Sequence, residues 1–185
     1  MSRETEIVEF LKEAGWETAQ RVAVPGDAST RRYERLTLDG EKAVLMDAPK
    51  GAEAPSEPEG ASVAERQALG YNALARLAGP DPEAFACIAN ELAKRGFSAP
   101  KIIAADMARG FMLLEDLGDD LYARVIANDP AKERELYEAA IDTLAAIYRS
   151  TFPAKMVFQG EIWRVRDYDG AALQSEADLF LDWYA

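Results

Sequence analysis

The segment Pro25-Gly26-Asp27-Ala28-Ser29-Thr30 combines glycine, small residues and hydroxyl groups, which are the features of a phosphate-binding loop. Small residues let backbone N–H groups approach phosphate oxygens, and the hydroxyls of Ser29 and Thr30 add donors. Arg31 and Arg32 follow directly and are able to pair with phosphates. An ordinary hairpin loop and a solvated strand face explain the same residues, so this segment alone leaves both interpretations open.

A second candidate is the apolar stretch 110–114, which runs into the acidic segment Glu115-Asp116-Leu117-Gly118-Asp119-Asp120. Glu115 and Asp116 are poor partners for acid–base chemistry, because neighbouring side chains of an extended chain point to opposite faces. One interpretation is a strand end followed by a helix that Asp119 or Asp120 caps. The other is a hinge whose main-chain groups hydrogen-bond an adenine edge, which requires no particular side chain.

A third candidate, Val44-Leu45-Met46-Asp47-Ala48-Pro49, is explained in general terms by a buried strand that leaves the core at a proline. Histidine is absent from all 185 residues. This absence excludes imidazole metal ligands, histidine-activated nucleophiles and imidazole acid–base catalysis from this chain.

Composition restricts the function further. The 49% hydrophobic content predicts a folded domain with a core, and the net charge of −12 argues against nucleic acid as a partner. The strongly apolar stretches, such as residues 111–114, are far shorter than the roughly 20 residues of a membrane span. The single Cys87 and the charged N-terminus without a secretion signal predict a reducing compartment, the cytoplasm.

The elements that must position these segments follow from periodicity. Residues 4–14 have helical spacing and end at Gly15. Residues 21–48 read as three strands, the second and third joined by a tight turn at Asp39-Gly40. Residues 49–62 have the composition of a mobile loop, and residues 63–77 suggest a modest helix.

Further along, Asp81-Pro82 begins a helix that ends at Gly96. Two antiparallel strands follow at 101–105 and 110–114. A long helix starts after Asp129-Pro130, a polar connection leads to about residue 170, and a last helix follows. The predicted apolar face of the 81–96 helix is Phe85, Ile88, Ala89 and Leu92.

Taken together, the segments PGDASTRRYERL, AVLMDAPK and FSAPKIIAADMARGFMLLEDLGDDLY, with the long helix after them, resemble the aminoglycoside phosphotransferase/choline kinase-like family. Within it they are most similar to bacterial amino-sugar kinases that act on N-acetylmuramate and N-acetylglucosamine. The resemblance covers most of the chain except about residues 51–79. It implies an α+β protein kinase-like N-lobe, with a five-stranded antiparallel sheet plus helices, followed by the first helices of an α-helical C-lobe.

The resemblance also implies domain boundaries and a reaction. Residues 1–117 would form the N-lobe, with a hinge at 115–118 and an insertion at about 51–79 that serves as a lid or as a tolerated loop. Residues 118–185 would start a truncated C-lobe. The implied reaction is transfer of the ATP γ-phosphoryl group, with Mg²⁺, to a hydroxyl of a small sugar or aminoglycoside-like acceptor. The nucleotide-binding residues would be Gly26, Asp27, Ala28, Ser29, Thr30, Arg32, Met46, Glu115, Asp116 and Leu117.

Besides the insertion at about 51–79, the sequence departs from the family pattern at two points. The catalytic loop of such kinases carries a His-x-Asp signature followed by Asn, so we expect this chain to lack the catalytic residues and to hold the ATP-binding half. The third-strand lysine is replaced by Met46 or Asp47, as in the MDAP pattern of the amino-sugar kinase subgroup. A non-catalytic nucleotide-binding or scaffolding module is therefore the alternative, and a helical interaction protein ranks third.

Overall fold

The computed structural model describes residues 2–25, 30–49, 58, 60–75, 77 and 82–184. Groups of helices alternate with groups of antiparallel strands along the chain. The helices are α1 (Arg3–Glu13), α2 (Val63–Leu69), α3 (Tyr71–Leu74), α4 (Pro82–Lys94), α5 (Tyr122–Asn128), α6 (Glu133–Arg149) and α7 (Gly170–Tyr184), with a 3₁₀ turn at Pro130–Lys132 before α6. The strands are β1 (Gln20–Ala23), β2 (Arg32–Leu38), β3 (Glu41–Asp47), β4 (Ile102–Asp106), β5 (Phe111–Glu115), β6 (Lys155–Phe158) and β7 (Glu161–Arg164).

Strands β1 to β5 form one antiparallel sheet in the order β1-β2-β3-β5-β4. The predicted turn between β2 and β3 is present, with positive φ angles of 51° at Asp39 and 89° at Gly40. Such angles match the twist of the two strands in a tight hairpin. The five-stranded sheet with helices confirms the predicted α+β fold class.

Helix α1 packs on one face of this sheet, which we call the α1 face. Ser2 caps the helix by accepting a hydrogen bond from the N–H of Thr5. Phe10 stacks on Phe111 with ring centroids 5.5 Å apart. The buried cluster on the α1 face consists of Ile7, Phe10, Leu11, Trp16, Leu36, Ala43, Leu45, Phe111 and Leu113.

The opposite face, which we call the hinge face, carries a second buried cluster beneath α4: Met46, Ala48, Ala86, Met107, Met112 and Leu114. The predicted helix is confirmed, but its larger apolar residues are half-buried and border an open cavity of about 300 Å³. The fully buried side of α4 is formed by small residues such as Ala86 and Cys87. Small side chains let α4 approach strands β6 and β7 closely, and Asn90 donates to the carbonyl of Val157 at 3.2 Å.

The polar connection predicted before residue 170 is wrong in part, because it contains the β6–β7 hairpin. Its turn has positive φ angles of 48° at Gln159 and 88° at Gly160, the geometry of a tight hairpin turn. Strands of four residues carry too few apolar positions for a clear alternating pattern. The strands are stabilised by their contact with α4, which the local sequence does not reveal.

The predicted helix at 63–77 is two short helices, α2 and α3, separated at Gly70, where φ is 95°. Arg66 is buried there and donates to the carbonyls of Ala73 and Leu74, at 3.1 and 2.8 Å. It also pairs with Asp169, 2.6 Å away, at the start of α7. The described part of the insertion is thus attached to the C-terminal helices, while most of residues 49–59 lie outside the described residues.

The predicted long helix after Asp129 is confirmed as α6, and Asp129 accepts a hydrogen bond from Ala131 at the turn before it. Its apolar positions are exposed: Ile141 is 63% and Leu144 67% accessible. Across the described residues, the helices are all too short or too polar to cross a membrane.

Candidate nucleotide site

The predicted phosphate-binding loop is described at its last residue, because Gly26, Asp27, Ala28 and Ser29 lie outside the described residues. Thr30 is exposed and borders a cavity of about 880 Å³ at the end of β1 and the start of β2. Arg31 and Arg32 line the same cavity. Contact of this loop with phosphate therefore stays a prediction.

Strand alternation separates the two arginines at the start of β2. Arg32 is exposed, borders the α1 face with Arg3 and Glu4, and forms no ion pair with another described residue. Arg31 borders the cavity beside α4, on the hinge face. Arg31, directly before β2, therefore lies on the same face as the hinge, whereas Arg32, the first residue of β2, does not. Nucleotide contact by Arg32 stays a prediction.

The hinge segment, residues 115–118, is tied to the sheet by Arg35 of β2. The Nε atom of Arg35 lies 2.7 Å from Oδ2 of Asp116, and its Nη1 donates to Oδ2 of Asp119 at 2.7 Å. Asp116 also accepts a hydrogen bond from the N–H of Gly118 at 2.9 Å. One guanidinium therefore joins β2 to both ends of the turn that leaves β5.

This ion pair corrects the predicted helix cap. Asp119 binds Arg35, and α5 begins after Leu121 without a side-chain cap. The guanidinium of Arg35 lowers the pKa of Asp119, and the hydrogen bond to Asp119 raises the pKa of Arg35. Both groups are charged at neutral pH, so the contact persists under physiological conditions.

Leu117 has main-chain hydrogen-bonding groups that the local structure does not use. Its N–H and C=O groups form no hydrogen bond with another residue in the described ranges, and its side chain is 61% exposed. The side chain of Glu115 has a structural partner, because its carboxylate accepts a hydrogen bond from the N–H of Lys101 at 3.1 Å. The main-chain groups of Leu117 are therefore available to a ligand.

The side chains of Met46 and Asp47 have structural partners. Met46 is fully buried in the cluster of the hinge face. Asp47 is 5% exposed and accepts from Arg3, whose guanidinium lies 3.9 Å above the ring of Phe111. These contacts confirm the interpretation of this segment as a buried strand end, and nucleotide contact by Met46 stays a prediction.

Arg35 is the functional candidate that the sequence interpretation missed. An arginine in an exposed strand is generally a solvated side chain, so its residue type gives no signal. Its partners lie 81 and 84 residues further along the chain. The alternation of β2 could have placed Arg35 on the hinge face, but not opposite two particular carboxylates.

The described residues contain no group of three or more cysteine or acidic side chains that could hold a metal ion.

Comparison with known proteins identifies relatives of this chain. Three relatives are each named N-acetylmuramate/N-acetylglucosamine kinase. The Caulobacter vibrioides protein is 46% identical over 181 residues, which cover 98% of this chain and 50% of the relative. The Pseudomonas aeruginosa protein is 31% identical, covering 95% of this chain and 42% of the relative, and the Pseudomonas putida protein is 32% identical, covering 88% and 37%.

The chain thus spans about half the length of the curated relatives it matches, in their N-terminal part. Residues 21–184 match the model of a family described as the phosphotransferase enzyme family. This match, the amino-sugar kinase relatives and the five-stranded sheet with helices confirm the predicted resemblance and its kinase-like N-lobe. The chain is a member of the phosphotransferase enzyme family.

Proposed function

We propose that this chain forms the nucleotide-binding part of an ATP-dependent kinase that transfers the γ-phosphoryl group to a hydroxyl of an amino sugar. The family match over residues 21–184 carries the proposal, because it covers the sheet from the second residue of β1 onward and the predicted hinge. The names of the three relatives support N-acetylmuramate and N-acetylglucosamine as acceptors.

The hinge supports recognition of a purine base. Leu117 offers one main-chain donor and one acceptor beside each other, and an adenine edge presents the complementary pair. Two exposed or half-buried valines, Val22 and Val44, lie on the same face as Arg35 in neighbouring strands. An aromatic base covers such apolar surface favourably. The base would therefore lie on the hinge face of β1–β3.

The start of β2 supports the position of the phosphates. Arg31 lies directly before β2, four residues before Arg35, which corresponds to about 13 Å of extended chain. Thr30 and Arg31 line the cavity there, and the predicted loop 26–29 precedes them. In kinases of this kind, positioning and charge neutralisation supply most of the catalysis.

Magnesium would accompany the ATP phosphates in this proposal. Mg²⁺ keeps several waters and is generally held by one or two carboxylates together with phosphate oxygens. Because the described residues supply no cluster of acidic ligands, we assign none of them to the metal. We equally assign no catalytic base within this chain, in line with its lack of histidine.

A coupled assay of ADP release tests the proposal on the complete protein that carries this chain. We expect ATP turnover that depends on N-acetylmuramate or N-acetylglucosamine, with a phosphorylated sugar detected by mass spectrometry. An aminoglycoside is the comparison acceptor. Turnover with the aminoglycoside and none with either amino sugar would refute the acceptor class, and absence of phosphoryl transfer to both classes would refute the kinase.

The buried Met46 specifically favours a second candidate, a non-catalytic nucleotide-binding or scaffolding module. A fully buried methionine offers no cation to the phosphates at the position where the broader family has lysine. Titration calorimetry for ATP binding, together with the coupled assay for ATP consumption, separates the two candidates. A protein that binds ATP but never consumes it with any amino sugar is the module, whereas acceptor-dependent consumption identifies the enzyme.

A further inference from the structure

We propose that Arg35 is a positioning residue for nucleotide binding, because it fixes the hinge main chain and thereby holds the N–H and C=O of Leu117 toward an adenine edge. The inference rests on the proposed function, since it assigns a task within the same nucleotide site. This role does not require a contact between Arg35 and the base. Arg35 acts through the conformation of residues 116–118.

Arg35 contacts the carboxylates of both Asp116 and Asp119, and we call this pair of contacts the clamp. Nη2 of Arg35 donates to Oδ1 of Asp116 at 3.3 Å, and Nε lies 2.7 Å from Oδ2 as an ion pair without hydrogen-bond geometry. Nη1 and Nη2 lie 2.7 and 3.2 Å from the two oxygens of Asp119. A planar guanidinium that engages both oxygens of a carboxylate fixes its orientation, which a lysine ammonium does not do.

Asp116 transmits this constraint to the main chain. Its side chain is 5% exposed, and the same Oδ1 that faces Arg35 accepts the N–H of Gly118 at 2.9 Å. Gly118 has a φ of 81°, a conformation that glycine adopts without steric cost. Leu117 lies between these two fixed residues. Loss of Arg35 would leave the Asp116 carboxylate largely buried without its cation, so the turn would rearrange to expose it.

The sheet sets where the clamp acts. Arg35 lies opposite Val44 of β3, and Val44 lies opposite Leu114, next to the start of the hinge. Val22 lies opposite Arg35 on the other side, in β1. Arg35 therefore lies between Val22 and Val44 on the hinge face, and its guanidinium reaches across β3 to Asp116 and Asp119.

Arg21 is a matched control. It is an arginine in the neighbouring strand that also pairs with two carboxylates, those of Glu34 and Glu4, at 2.6 and 2.5 Å. It lies on the α1 face and has no contact with the hinge. A general effect of losing an arginine clamp from this sheet would appear equally in Arg21→Gln and Arg35→Gln.

The test measures the Kd of the complete protein for MgATP and for inorganic triphosphate, which lacks the base. For Arg35→Gln we expect the Kd for ATP to rise about tenfold, with that for triphosphate unchanged. For Arg21→Gln we expect both constants to stay within about twofold. Arg35→Lys should recover part of the ATP affinity, since it restores the charge but not the planar fork.

A second pair of variants keeps the test valid if Arg35→Gln fails to fold. Asp116→Ala and Asp119→Ala each remove one carboxylate from Arg35, but only Asp116 holds the N–H of Gly118. We expect the first to weaken ATP binding more than the second. Equal effects of the two, equal effects of Arg35→Gln and Arg21→Gln, or parallel loss of triphosphate would each overturn the role of Arg35. Wild-type protein that binds no ATP would instead overturn the proposed function.

Discussion

Replacement of Gly110 by alanine tests how the strand that leads to the hinge is held in place. Gly110 is buried in the turn between β4 and β5, and its carbonyl accepts the N–H of Ala48, just after β3, at 2.9 Å. A Cβ on Gly110 would lie 2.1 Å from the carbonyl oxygen of Ala48. A carbon and an oxygen cannot stay that close, so the turn and the end of β3 would have to separate.

Two costs add at this position. Gly110 has a φ of 75°, where an L-residue is less stable than glycine by about 1–2 kcal/mol. Forcing an extra methyl group against packed atoms costs about 1–3 kcal/mol more. We therefore expect Gly110→Ala to lower the free energy of unfolding by about 2–5 kcal/mol.

Gly96 provides the matched control for the conformational part. Its φ is 81°, and no atom lies within 4 Å of the Cβ that alanine would add. Gly96→Ala should therefore cost about 1–2 kcal/mol, which is the strain without the clash. The difference in the free energy of unfolding between Gly110→Ala and Gly96→Ala isolates the contribution of the contact with Ala48.

Urea unfolding followed by circular dichroism measures both variants. With an m-value of about 2 kcal/mol/M, the contact alone should lower the midpoint of Gly110→Ala by about 0.5–1.5 M relative to Gly96→Ala. Equal midpoints would refute the reasoning, because they would show that the turn relaxes freely and that Ala48 does not constrain it.

Three further predictions concern buried groups. Arg66→Met should lower the melting temperature more at pH 7 than at pH 3. The ion pair with Arg66 depresses the folded-state pKa of Asp169, so its stabilisation is present above the ordinary Asp pKa of about 3.9 and is lost as the pH falls through the folded-state pKa. Equal losses of melting temperature at both pH values would contradict this. Burial raises the pKa of the Cys87 thiol, so a thiol reagent at pH 8 should label the folded protein at least about 100-fold more slowly than the protein in urea; comparable labelling rates would show that the thiol is accessible. Met46→Lys should unfold at a urea concentration well below wild type, since it buries an unpaired cation; an unchanged midpoint would mean that this position opens to solvent.

Local signals in the sequence account for much of the fold. The alternation of residues in β1 and β2, the apolar run of β3, the Asp39-Gly40 turn and the helical period of α1 and α6 each depend on neighbouring residues. The β6–β7 hairpin escaped the prediction although its Gln159-Gly160 turn resembles the first one. Two four-residue strands gain their stability from α4, which lies over 60 residues earlier in the chain.

The sequence by itself determined the family, the order of α1, α4, α6 and the five strands of the main sheet, and the absence of histidine chemistry, because these properties reside in residue types and short-range spacing. The tertiary structure alone decided that Met46 is buried, that Arg32 lies on the α1 face and that Arg35 meets Asp116. The physical reason is the length scale of the interactions. Propensity and periodicity act over a few residues, whereas an ion pair between residues 81 positions apart forms only after β2, β3 and β5 have aligned in register.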